Sequence, residues 1–157
     1  MFIAVTISGA CVNLTYFDDI ECPSRIRGAS QSINRDDIEA FAKSWGDSLL
    51  GIKRNSRVNH DKIRVSEPFL LALRNRLIHG LDRPPAIIAS FGYDDVRFNT
   101  HAYANDTVTL ILDVESKRLS ASNPQRGIVI TRQTLINQHN QIVLSMLDNV
   151  LVQKRQS

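Results

Sequence analysis

The chemistry-bearing side chains of this chain crowd into one stretch. Lys53, Arg54, Arg57, Lys62 and Arg64 fall close together, with His60 and Asp61 among them. Cations at this spacing can hold the oxygens of phosphate groups, or can simply keep a loop solvated. Both readings stay open on the residues alone. The two cysteines, Cys11 and Cys22, have no histidine or cysteine neighbours at metal-ligand spacing, so no metal is expected. Two thiols also do not make the disulfide framework of a small secreted protein, and a reducing, cytoplasmic setting is the default.

The bulk properties narrow the field further. Net charge is +3 and the isoelectric point about 9.1, but the basic residues form no long stripe, so no nucleic-acid partner is expected. Hydrophobic residues make up 43% and charged residues 22%, the balance of a water-soluble globular chain. No apolar run is long enough to cross a bilayer, so no membrane partner is expected either. Residues 1–14 read as a lead-in: Met1 to Ala10 is apolar but lacks the basic start and cleavage signal of a secretory leader. The 157 residues suit one domain with its own core.

Something must position the basic stretch, and the flanking sequence says what. A short strand is expected over Ala29 to Ile33. Asn34 then caps a helix with acids in its first turn, and Ile38, Phe41, Ala42 and Trp45 repeat along one face until Gly46 stops it. Asp47 to Arg64 reads as a loop. Ser66 and Pro68 open a second helix that runs to Gly80. Its residues Phe69, Leu70, Ala72, Leu73, Leu77, Ile78 and Leu81 are apolar over so wide a surface that burial is expected. Four strands follow: Ala86 to Phe98 with an irregularity near Gly92, Thr107 to Lys117, Gly127 to Ile136, and Gln141 to Val152. The polar turn Asn137-Gln138-His139-Asn140 joins the last two as a hairpin. Strands grouped after helices predict an α+β fold, an antiparallel sheet curled around one buried helix.

Several segments, taken in order, resemble the MaoC-like hotdog dehydratases. They are Tyr16-Phe17-Asp18-Asp19-Ile20, Asp37 to Ala42 followed by Trp45-Gly46-Asp47, Gly92 to Phe98, Asn105-Asp106-Thr107, and Arg126-Gly127-Ile128-Val129 with Asn137-Gln138 and Val143-Leu144. The resemblance spans roughly Tyr16 to Arg155 and is nearest in flavour to one half of a tandem-hotdog acyl-CoA hydratase. It implies a hotdog fold with the Ser66 to Gly80 helix at its centre, pairing as a homodimer or a hotdog heterodimer. It implies an acyl-CoA or acyl-carrier-protein thioester as substrate, with no cofactor beyond that carrier. The implied reaction is (R)-specific hydration of a trans-2-enoyl thioester. A carboxylate and an imidazole share one water there, and amides at the central helix start hold the thioester oxygen.

In the family that pair is an Asp followed five positions on by a His. This chain keeps Gly46-Asp47 but carries Ile52 at the histidine position and lacks the intervening Asn-Pro. The resemblance therefore assigns catalysis to Asp47 with His60, from the later Val58-Asn59-His60-Asp61 segment, in which Asn59 aligns with the missing histidine. Asn59, Ser66, Arg54 and Arg57 are the implied substrate-binding residues, the two arginines facing coenzyme A phosphates. Two rival readings remain. One is a non-catalytic acyl-thioester-binding hotdog that partners a catalytic chain. The other is a thioesterase using Glu67. Arg74 and His79 also fit a short Arg-x4-His ribonuclease pattern, but that pattern belongs to helical bundles, and both residues are expected at the polar edge of the second helix.

Overall fold

The computed structural model describes residues 13–46 and 63–156. The chain enters through a short 3₁₀ turn, Phe17–Asp19, in which the Asp19 carboxylate accepts from the Tyr16 amide at 3.3 Å. Strand β1 is Ser24–Ser32, longer than the expected Ala29 to Ile33. Helix α1 is Arg35–Trp45 and helix α2 is Glu67–His79, stopped by Gly46 and Gly80 as expected; Ser66 caps α2 through its side chain, whereas Asn34 holds the N-cap position of α1 without a side-chain cap hydrogen bond. Strands β2 (Ile87–Phe98), β3 (Thr107–Leu119), β4 (Arg126–Ile136) and β5 (Ile142–Gln153) follow.

The five strands form one antiparallel sheet in the order β1-β3-β4-β5-β2, with β1 and β2 at the edges. Alternation sets its inner face. Val108, Leu110, Leu112 and Val114 of β3 are buried, with Val129, Gln133 and Leu135 of β4 and Leu144, Met146, Asp148, Val150 and Val152 of β5. α2 lies on this face through Phe69, Leu70, Leu73, Leu77 and Ile78, and the main core forms between them. A second core lies beyond the end of α2, where Phe17 packs with Ala86, Val114, Val129, Val150 and Val152.

Two positions in this second core and edge need glycine. A Cβ on Gly127 would lie 2.1 Å from two ring carbons of Phe17, so the aromatic side chain seats directly on the bare backbone of β4. Gly92 adopts φ 122, where the pairing of β2 with β5 slips, which is the irregularity expected in that strand. Asp95 (φ 51) bends β2 a second time.

Two expectations are corrected. Trp45, the last residue of α1, is 72% exposed rather than part of the buried stripe. It stacks instead on Phe41, whose ring meets Phe69 of α2 edge-on at 5.5 Å. Arg74 is buried, not at a polar edge. His79 is exposed, as expected.

Candidate functional site

Of the site residues that the resemblance implies, Ser66 at the start of α2 is the one among the described residues. Ser66 is 4% exposed, and its Oγ accepts from the Phe69 amide at 3.4 Å. The approach to it is fixed by backbone bonds, Val65 N–H to the Ala102 carbonyl and Ala104 N–H to the Ile63 carbonyl, each 2.8 Å. Pro68 has no amide proton and that of Phe69 is turned to Ser66. Of the first three helical amides, Glu67 alone remains to meet an incoming oxygen. The Glu67 carboxylate pairs with Arg64 at 2.8 Å, so its charge is partly answered by a neighbouring cation.

A crevice of about 340 Å³ runs between α1 and α2, along the flank of α2 from Phe69 to Arg76; Ser66 and Glu67 do not line it. Its walls include Ile33, Phe41, Phe69 and Leu73, with Asp37, Ser44 and Arg76 at polar positions. Asp47, Ile52, Arg54, Arg57, Asn59 and His60 all lie outside the described residues. The structure therefore brings together none of the expected catalytic pair, and of the expected substrate-binding residues it describes Ser66 alone. The other three histidines, His79, His101 and His139, are exposed. Among the described residues no group of histidine, cysteine and carboxylate side chains could hold a metal ion. No described helix is long and apolar enough to cross a membrane.

The turns that flank this end of the sheet are held by side chains. Asn105 takes φ 71, a left-handed position that asparagine tolerates better than most side chains. Asp106 accepts from the Tyr103 amide at 2.8 Å and from Gln138 Nε2 at 2.7 Å, which ties the β2–β3 connection to the β4–β5 turn. Asn137 Oδ1 accepts from the amides of His139 and Gln141, both at 2.9 Å, and closes the expected hairpin.

A polar cluster that sequence reasoning missed lies under α2. The Arg74 guanidinium reaches Asp148 Oδ2 at 3.3 Å and donates to the Tyr93 hydroxyl at 3.2 Å. Asp148 also accepts from Ser90 Oγ and Gln133 Nε2, each at 3.0 Å. The Arg74 and Asp148 side chains are only 4% and 6% exposed. Arg74 Nε and Gln133 Oε1 are buried without a partner among the described residues. The signal was present: Arg74 falls four residues after Leu70 on the apolar face, and Asp148 and Gln133 occupy inward positions of alternating strands.

The edge strand β2 is open. It pairs with β5 along its length, yet every residue in it is exposed, including Ile87, Ile88, Phe91, Tyr93, Val96 and Phe98. An apolar edge strand of this kind is a surface that folded proteins cover.

No protein-family model matches the sequence, and no curated protein matches it at a significant level. Solved structures match it closely in shape. A MaoC-like dehydratase from Rhodospirillum rubrum is 21% identical with a TM-score of 0.78, over 91% of this chain and 99% of that one. An (R)-hydratase from A. caviae involved in PHA biosynthesis is 17% identical with a TM-score of 0.59, over 87% and 98%. A double-hotdog protein from Mycobacterium tuberculosis is 16% identical with a TM-score of 0.73, over 93% of this chain and 46% of that one. The fold is thus the hotdog fold of MaoC-like proteins, as the motif order implied.

Proposed function

We propose, from a fold shared with a MaoC-like dehydratase and an (R)-hydratase, that this chain hydrates trans-2-enoyl thioesters, or dehydrates the corresponding hydroxyacyl thioesters. The observation that carries the reading is the capped, apolar α2 laid on the inner face of the sheet, with the α1–α2 crevice along its flank from Phe69 to Arg76. Asp47 and His60 are the candidates to share the attacking water. The carboxylate orients it and the imidazole takes its proton as oxygen bonds to the β-carbon. The Glu67 amide is the donor available to the thioester oxygen as negative charge builds there. Arg54 and Arg57 are the candidates for the carrier's phosphates.

A second reading has its own support. One helical amide is a meagre oxyanion site, and the apolar β2 edge asks for a neighbour. Both fit a chain that binds acyl thioesters and pairs through β2 with a second hotdog chain or another copy of itself. The deciding experiment is turnover of a panel of trans-2-enoyl-CoAs, followed by loss of the conjugated thioester absorbance. Loss without release of free thiol, abolished by Asp47→Asn, supports the hydratase. Thiol release points to a thioesterase. Tight binding without any turnover supports the partner reading.

A further inference from the structure

A thioester oxygen at the start of α2 meets one free amide, that of Glu67, and the strand that lies across from it carries a second donor. Residues 63–65 run antiparallel to residues 102–104. Arg64 stands opposite Tyr103, the Val65 amide donates to the Ala102 carbonyl, and the Ala104 amide to the Ile63 carbonyl. Ser66 is still extended, with φ -76 and ψ 152, so the helix begins only after it. One more step of the same register therefore sets His101 opposite Ser66, one residue from the Glu67 amide. Directly opposite residues of an antiparallel pair have Cα atoms about 4.5–5.5 Å apart and share a face.

The backbone that carries His101 is fixed on both sides. The Asn99 amide donates to the Val143 carbonyl at 3.2 Å, and the Tyr103 amide to the Asp106 carboxylate at 2.8 Å. The Ala102 side chain beside it is fully buried, and alternation turns His101 outward. The imidazole is exposed and makes no hydrogen bond or ion pair with a described residue. The charges that flank it across the register, Arg64 and Glu67, are engaged with each other. A pinned backbone thus presents an uncommitted imidazole next to the uncommitted amide of the helix start. An imidazole offers an N–H in either protonation state.

We propose that His101 is the second donor to the thioester oxygen, its ring N–H converging with the Glu67 amide on the atom where negative charge builds. The proposal rests on the reading of the α2 start as a thioester site and adds to it a residue outside the 47–60 stretch.

The test needs a readout independent of turnover. Butyryl-CoA labelled with carbon-13 at the thioester carbon is saturated, so hydration cannot consume it, and its carbonyl stretch is read by infrared difference on the full chain. Two donors lower that frequency on binding. His101→Leu gives back a large part of the shift, and His101→Gln, which retains an N–H, keeps most of it. With crotonyl-CoA, His101→Leu lowers kcat about a hundredfold at little changed KM, while His101→Gln stays within about tenfold of the unaltered chain. Thermal melts check that these exposed replacements fold, and His101→Ala substitutes for a leucine variant that does not. A carbonyl shift indifferent to His101 overturns the proposal and leaves the thioester reading standing. Equal loss in the leucine and glutamine variants also overturns it, because the shape of the residue and not its N–H is then the cause. A shift that depends on His101 in a chain without turnover upholds the proposal and defeats the hydratase reading. Failure of the unaltered chain to bind butyryl-CoA overturns both.

Discussion

Asp148→Asn removes a charge and almost no volume, and it should cost this protein a large part of its stability. Three donors converge on the two carboxylate oxygens: Arg74 at 3.3 Å, Ser90 at 3.0 Å and Gln133 at 3.0 Å. An asparagine offers one oxygen, so its amide hydrogens must face a donor. The guanidinium, 4% exposed, then stays in the core without a counter-charge. Breaking a buried pair on one side costs about 3–5 kcal/mol, against a total stability of about 5–15 kcal/mol. With a urea m-value of about 2 kcal/mol/M, the midpoint should fall by roughly 2 M at fixed protein concentration. Replacing both partners with apolar residues, Arg74→Met with Asp148→Leu, should recover most of that loss, because no charge is left buried. A loss below about 1 kcal/mol for Asp148→Asn would refute the reasoning and mean that water reaches Arg74 when the carboxylate is gone.

Three further outcomes are expected. Gly127→Ala drives a methyl group into the Phe17 ring and should lower stability by about 1–3 kcal/mol in thermal melts, with part regained by adding Phe17→Leu. Ser66→Ala removes the cap on α2 and should cost about 1 kcal/mol, which Ser66→Thr restores; turnover lost in the alanine variant at unchanged stability would move Ser66 into the substrate site. The hydrogen bond from Arg97, opposed by desolvation and joined by Arg132, holds the Asp95 carboxyl below its ordinary range. Its contribution is therefore complete above the unfolded value of about 3.9 and fades as pH falls through the lower folded value. Asp95→Asn, which suits the same positive φ, should flatten the acid limb of a stability–pH curve and leave the neutral region little changed.

Local patterns carried the elements well. The Ser66 cap, the α2 stripe apart from the exposed Ala72, the kink at Gly92 and the Asn137 hairpin all depend on neighbours within a few residues, and all stand in the structure; Asn34 holds its N-cap position without a side-chain cap bond. Failures came where a partner is remote. Nothing near Arg74 in the chain shows that Asp148 waits inside the sheet to receive it. The extra length of β1 comes from pairing with β3, a contact that β1's own composition does not announce. Trp45 fits the helical period, but period alone does not say which turns of a helix are covered. For the site, motif order pointed to the helix start at Ser66. The residues nominated for acid–base chemistry and phosphate binding fall at 47–60, beyond the described residues, and rest on the resemblance alone.

The seating of Phe17 on Gly127 has a consequence for how the chain reaches this structure. Ring and seat are separated by most of the sequence, and the seat does not exist until β4 is flanked by β3 and β5. The local hairpins β3–β4 and β4–β5 can close early, because little chain must be ordered to join them. The Phe17 segment can dock only afterwards, against a loop-closure entropy that the hairpins never meet. It is therefore expected to dock late. Substitutions there should quicken unfolding while leaving the folding rate nearly untouched.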